Sequence, residues 1–256
     1  QTPTDEASEE LAQYAWYTLC VAPEDEALQA ALHKARTPVF QSLPTSTFLT
    51  LVLHLLHGTR EAPPGLQGTV PLRVDMPRTA LDLLASRAVR TDRAAHVALF
   101  EELHKALVHV YETHPSLGAD ALDLLHTSIT HSASPEHAGL TQLMPPLWAH
   151  APQPQVLHVL TAILLHVGVR ALSHLSVLVP YACEAAETGS DDDVHSAALL
   201  LLAALFKTLS QFMHGYVARV MRLLVSKDTT HVRSAARKVQ DAMVKRMPPA
   251  TMLEAW

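Results

Sequence analysis

The sequence predicts an all-α chain built as a solenoid of stacked helix pairs. Three observations predict it: a composition led by Leu and Ala, apolar residues recurring in steps of three and four, and short motifs that return at a fixed period. Hydrophobic residues make up 48% of the 256 positions, aromatics only 5%, and glycine only eight. Leu and Ala are strong helix formers, whereas strands draw on β-branched and aromatic residues. No segment alternates in the manner of a strand.

Taken in order, residues 6–57 form the least regular unit. Residues 58–73 read as the main interrupting loop, with Gly58, Gly65 and Gly68 beside Pro63, Pro64 and Pro71. The unit 74–112 carries Ala80-Leu81-Asp82-Leu83-Leu84 and then the stripe Val97, Phe100, Leu103, Leu107, Val108, Tyr111. The unit 118–149 opens on Ala121-Leu122-Asp123-Leu124-Leu125, the same motif one period on. In 152–187 the stripe is Val156, Leu157, Leu160, Ile163, Leu164 and Val167. The unit 192–225 opens on Val194-His195-Ser196-Ala197-Ala198, and 228–256 repeats it, again one period on, as Val232-Arg233-Ser234-Ala235-Ala236. That second match continues, with Ala204 answering Ala242 and Lys207 answering Lys245.

Breakers divide these stretches at Pro115, Gly118, Pro135, Pro152, Pro154, Gly168, Pro180, Gly189, Gly215 and Pro248. The repeat ladder therefore stands near 80, 121, 157, 197 and 235. Two helices and two turns fill that period. It is the HEAT range at its short end, and it is longer than the period of TPR units, whose aromatic pattern is also missing. The expectation is one HEAT-type α-α superhelix of about five to six helix pairs spanning 1–256. Ala at 197, 198, 235 and 236 lets a neighbouring helix approach closely. Asp191 to Asp193 and Asp228 stand where a helix start needs capping oxygens and negative charge.

Cys20 and Cys183 make no disulfide framework, which points to a reducing intracellular compartment. The chain opens on Gln1 with no signal-peptide pattern and reads as a piece of a longer protein. The longest apolar run, Ala197–Phe206, is half of what a membrane span needs, so no membrane association is expected.

Signals for chemistry are sparse. Seventeen histidines include the close pairs His54/His57, His104/His109 and His126/His131, but none forms an HExxH motif, and the cysteines lack zinc spacing. Asp191-Asp192-Asp193 lacks the alternating ligands, glycine and terminal Glu of a calcium loop. No GxSxG, P-loop or GxGxxG is present. The expectation is a non-enzymatic binding scaffold with no catalytic residue, metal, cofactor or small-molecule substrate.

Charge supplies the one lead to a partner. Residues 1–206 hold 10 Lys and Arg against 22 Asp and Glu, while 207–246 hold 9 against 2. On the helix expected over 229–246, Arg233, Arg237, Lys238 and Lys245 share one face, and Val232, Ala235, Ala236, Val239, Ala242 and Met243 the other. Arg219, Arg222 and Lys227 precede them. Merged by stacking, these seven cations form a candidate stripe for RNA phosphates or an acidic protein. The same face also reads as a plain solvated surface, with Arg233 tied to a neighbouring Asp. No aromatics are interleaved for base stacking.

Four stretches resemble a known family. They are Arg78–Leu84, Gly168–Pro180 with its spaced Leu residues, Gln211–Tyr216 followed by Val232–Ala236, and Met247-Pro248-Pro249-Ala250-Thr251-Met252-Leu253. Together they resemble, in order, the C-terminal HEAT repeats of the U3 small nucleolar RNA-associated protein 10 family of small-subunit processome scaffolds. The sequence departs from that pattern at Ser173 and Ser176, where the family tends to have Pro, and at Ala250, where it tends to have Arg. The resemblance implies a nucleolar role in pre-rRNA transcription and processing and in 40S biogenesis. It implies other processome proteins as partners, with U3 RNA or pre-rRNA at the basic end. A HEAT adaptor of another system, such as a transport receptor or phosphatase scaffold, is the alternative.

Overall fold

The computed structural model describes residues 3–20, 26–70, 75–87, 96–131, 138–189, 191–226, 232–248 and 250–251. All regular structure among them is helical. The chain divides into two compact units, Gln1–Ala133 and Ser134–Trp256. That boundary falls inside the expected unit 118–149.

The first unit holds α1 (Pro3–Cys20), α2 (Glu26–Ser42), α3 (Thr45–Leu56), α4 (Met76–Ser86), α5 (Val97–Thr113) and α6 (Gly118–Thr130). Three helices, not a pair, therefore occupy 6–57. Neighbours in sequence pack (α1 on α2, α3 on α4, α5 on α6), and so do next-but-one helices: α2 on α4, α4 on α6, α3 on α5. Even and odd helices thus form two layers. The repeated Ala-Leu-Asp-Leu-Leu motif lies on α4 and α6, which touch; Ala80, Leu81, Ala121 and Leu122 are all buried. Asp75 caps α4, its Oδ1 accepting from the Arg78 amide at 3.1 Å, with proline in the first turn where no N–H is needed. Phe48 of α3 meets Phe40 of α2 edge to face at 6.4 Å, and the Arg87 guanidinium sits 4.5 Å over the Phe48 ring.

The loop expected over 58–73 is ordered where described. A single antiparallel bridge joins Glu61 and Thr69, and no strand is present among the described residues. The loop is latched to α1. Gln13 exchanges two hydrogen bonds with the Gln67 backbone, at 2.9 and 2.8 Å, and Trp16 Nε1–H donates to Gly68 O at 3.3 Å. Gly68 has φ +108°, a backbone conformation that favours glycine, while a Cβ there would make ordinary contact with Cys20 Sγ at 3.4 Å.

The second unit holds α7 (Met144–Trp148), α8 (Pro154–Val167), α9 (Leu175–Thr188), α10 (Asp192–Leu209), α11 (Val217–Ser226) and α12 (Arg233–Arg246), with short 3-10 turns between several of them. α10 packs on α8, α9 and α12, and α11 packs on α9. The same even and odd layering results. The motif positions near 157, 197 and 235 fall on α8, α10 and α12, so repeat packs on repeat.

Most breakers act as expected: Pro154 starts α8, Gly168 ends it at φ +56°, and Gly189 follows α9. Pro180 does not. It lies inside α9, and the carbonyl it leaves without a donor belongs to Ser176, an exposed residue of the first turn.

Two helical stretches, Pro154–Thr188 and Asp192–Phe212, are long and apolar enough to cross a bilayer, contrary to the expectation from run length. Packing accounts for their apolarity. The first is broken by Gly168 and a 3-10 stretch, and in the second Ala197, Ala198, Leu201, Leu202 and Leu205 are fully buried.

Candidate functional site: a basic-rimmed groove

The layer α8–α10–α12 carries a groove of about 640 Å³. Its floor is Leu165, Leu200, Ala203, Ala204 and Ala242; its rim is Lys207, Lys238, Lys245 and Arg246, with Thr161 and Asp241. The repeat builds it. Ala204 and Lys207 of α10 lie one period from Ala242 and Lys245 of α12, and all four line the same groove. Small side chains at 203, 204 and 242 leave the space, and Leu165 stays 47% exposed.

All four rim cations are exposed, and none makes an ion pair with a described residue. Four positive charges and one carboxylate thus line a groove with an apolar floor.

The seven cations singled out from the sequence do not all meet here. Lys238 and Lys245 do. Arg233 and Arg237 are exposed on α12 but do not line the groove. Arg219 and Arg222 sit on α11, in the other layer. Arg219 Nη2 lies 3.7 Å from Glu187 Oε1 of α9, and Arg222 Nε–H donates to the Ala218 carbonyl at 3.3 Å. Lys227 lies outside the described residues, as do Asp228, Met252 and Leu253. Arg233 makes no ion pair with a described Asp. Sequence reasoning missed Lys207 and Arg246 as site residues. The pairing of Lys207 with Lys245 in the repeat was the signal for the first.

Packing shifts a few titratable groups elsewhere. Burial pushes the Cys183 thiol up to about 11, with Glu187 adding to the rise and Arg219 opposing it. A thiol so placed is not a nucleophile at neutral pH. Burial also raises Cys20. His54 is held below its usual value by burial and by His57. His104 is buried, with Nε2 3.0 Å from Ser128 Oγ. Asp191 caps α10, its Oδ1 accepting from the Asp193 amide at 3.2 Å, so the acidic triplet sits at a helix start. No group of three or more His, Cys, Asp or Glu is arranged for a metal among the described residues.

No protein-family model matches this chain, and no curated protein is similar to it at a significant level.

Proposed function

We propose that the chain is a HEAT-type solenoid scaffold that binds partners without catalysis. The observation that carries this reading is the coincidence of sequence repeat and packing. Motifs that recur in the sequence lie on helices that touch, α4 with α6 and α10 with α12, each in a layer of alternate helices. Stacked helix pairs bury a shared core and leave a continuous face, which is how such proteins bind. The groove described above lies along the α8, α10 and α12 layer of the second unit.

The biological setting in this proposal is the nucleolus, in pre-rRNA transcription and processing and small-subunit assembly. The four stretches that resemble the U3 small nucleolar RNA-associated protein 10 family support it, with processome proteins as the partners. Purification of the tagged full-length protein from cells tests the setting. Recovery of U3 RNA and processome proteins is the expected result. Recovery of transport receptors or phosphatase subunits in their place would reject it.

A further inference from the structure

We propose that the α8–α10–α12 groove docks an acidic amphipathic helix of a partner protein. The inference rests on the binding-scaffold reading and names the chemistry of its partner. Two properties of the groove decide the occupant together. Its rim carries Lys207, Lys238, Lys245 and Arg246 against Asp241 alone, which calls for negative charge. Its floor is aliphatic, with Leu165 47% exposed and Leu200 and Ala203 half-buried.

A nucleic-acid backbone satisfies the rim and leaves the floor wet. No aromatic side chain lines the groove for a base to stack on. A helix with apolar residues on one stripe and Asp or Glu beside it satisfies both. Its apolar anchors cover Leu165 and Leu200, the small residues at 203, 204 and 242 admit its backbone, and its carboxylates reach the flanking ammonium groups. Lys207 and Lys245 stand at equivalent positions of successive repeats, so each of the neighbouring helices α10 and α12 offers the groove a cation.

The test is peptide selection on the full chain from a random displayed library, followed by affinity measurement of the enriched peptides. The expected result is enrichment of sequences with Leu-like residues at steps of three and four and flanking Asp or Glu. Leu165→Asp, and Lys207→Glu with Lys245→Glu, should each weaken those peptides by roughly tenfold or more, the sum of a lost apolar anchor or two reversed rim charges. Arg233→Glu with Arg237→Glu makes the same change in net charge outside the groove and should alter affinity by less than about threefold. Unchanged thermal melts confirm that these exposed substitutions leave the fold intact.

Enriched peptides that are not acidic, or that ignore the groove substitutions, overturn the assignment while leaving a peptide-binding scaffold in place. A generic structured RNA that binds, loses binding with Lys207→Glu and Lys245→Glu, and has no acidic-peptide counterpart overturns it in favour of RNA. Self-association abolished by the same pair overturns it in favour of a second copy. The scaffold's cellular setting fails separately, in the purification described above.

Discussion

Helices α10 and α12 begin from the same Val-x-Ser-Ala-Ala pattern and end in different surroundings. α10 has α8 on one flank, α12 on the other and α9 beneath, and ten of its 18 residues are buried. α12 packs on α10 and buries four of its 14, Ala235, Ala236, Val239 and Met243. Identical small residues therefore serve different ends. In α10 they sit at the centre of a layer, fully buried. In α12 they are the dry edge of a helix whose other side carries exposed charges.

The contrast is sharpest for an introduced charge. Ala198→Arg should destabilise by about 3–5 kcal/mol, because an unpaired charge is buried with no route to water. Ala236→Arg should cost less, about 1–3 kcal/mol, since a long side chain on α12 can lead its guanidinium toward the exposed flank. Thermal melts of the two variants check the order. Equal losses would mean that α12 is as enclosed as α10.

Cys183 of α9 probes burial beneath α10. Its thiol ionises near 11 in the fold against 9.0 otherwise, so the unfolded chain loses its proton first. Stability is then intact below pH 9 and falls as the pH rises from 9 toward 11, by up to about 2 kcal/mol from this group. Denaturant melts across that window should show the fall, and Cys183→Ala should flatten it. The folded protein should also resist thiol alkylation at Cys183 at mildly alkaline pH.

Smaller effects distinguish how the two helices start. α10 has an Asp191 cap; α12 begins at Val232 with no side-chain cap bond. Asp191→Ala should cost about 1 kcal/mol. Lys245→Ala, on the exposed face of α12, should change stability by less than about 0.5 kcal/mol, as calorimetry can show.

Much of the helical layout was legible in the sequence because periodicity and repeats report burial directly. The stripe Val156, Leu157, Leu160, Ile163, Leu164, Val167 is the buried side of α8, and the five ladder positions fall on α4, α6, α8, α10 and α12. What was not legible depends on tertiary partners. Pro180 reads as a break, yet lies inside α9, where the carbonyl it leaves without a donor belongs to the exposed first-turn residue Ser176. The glycine-rich loop reads as an interruption, yet Gln13 and Trp16 hold it to α1. Arg219 reads as a free cation, but Glu187, from the separate helix α9, lies beside it. The basic end reads as one stripe because charge counting does not separate layers, whereas packing sends α11 to α9 and α12 to α10. Lys207 belongs with the α12 cations, and only the repeat register hints at it.

The central claim is that positions one repeat apart in sequence are neighbours in space. Paired-cysteine crosslinking tests it most directly, in a chain with Cys20 and Cys183 replaced by Ala and new cysteines at Ala204 and Ala242. Rapid intramolecular disulfide formation under mild oxidation is the predicted result, with no crosslink when the second cysteine is placed instead at exposed Arg237. An uncrosslinked Ala204/Ala242 pair in a folded chain would contradict the account.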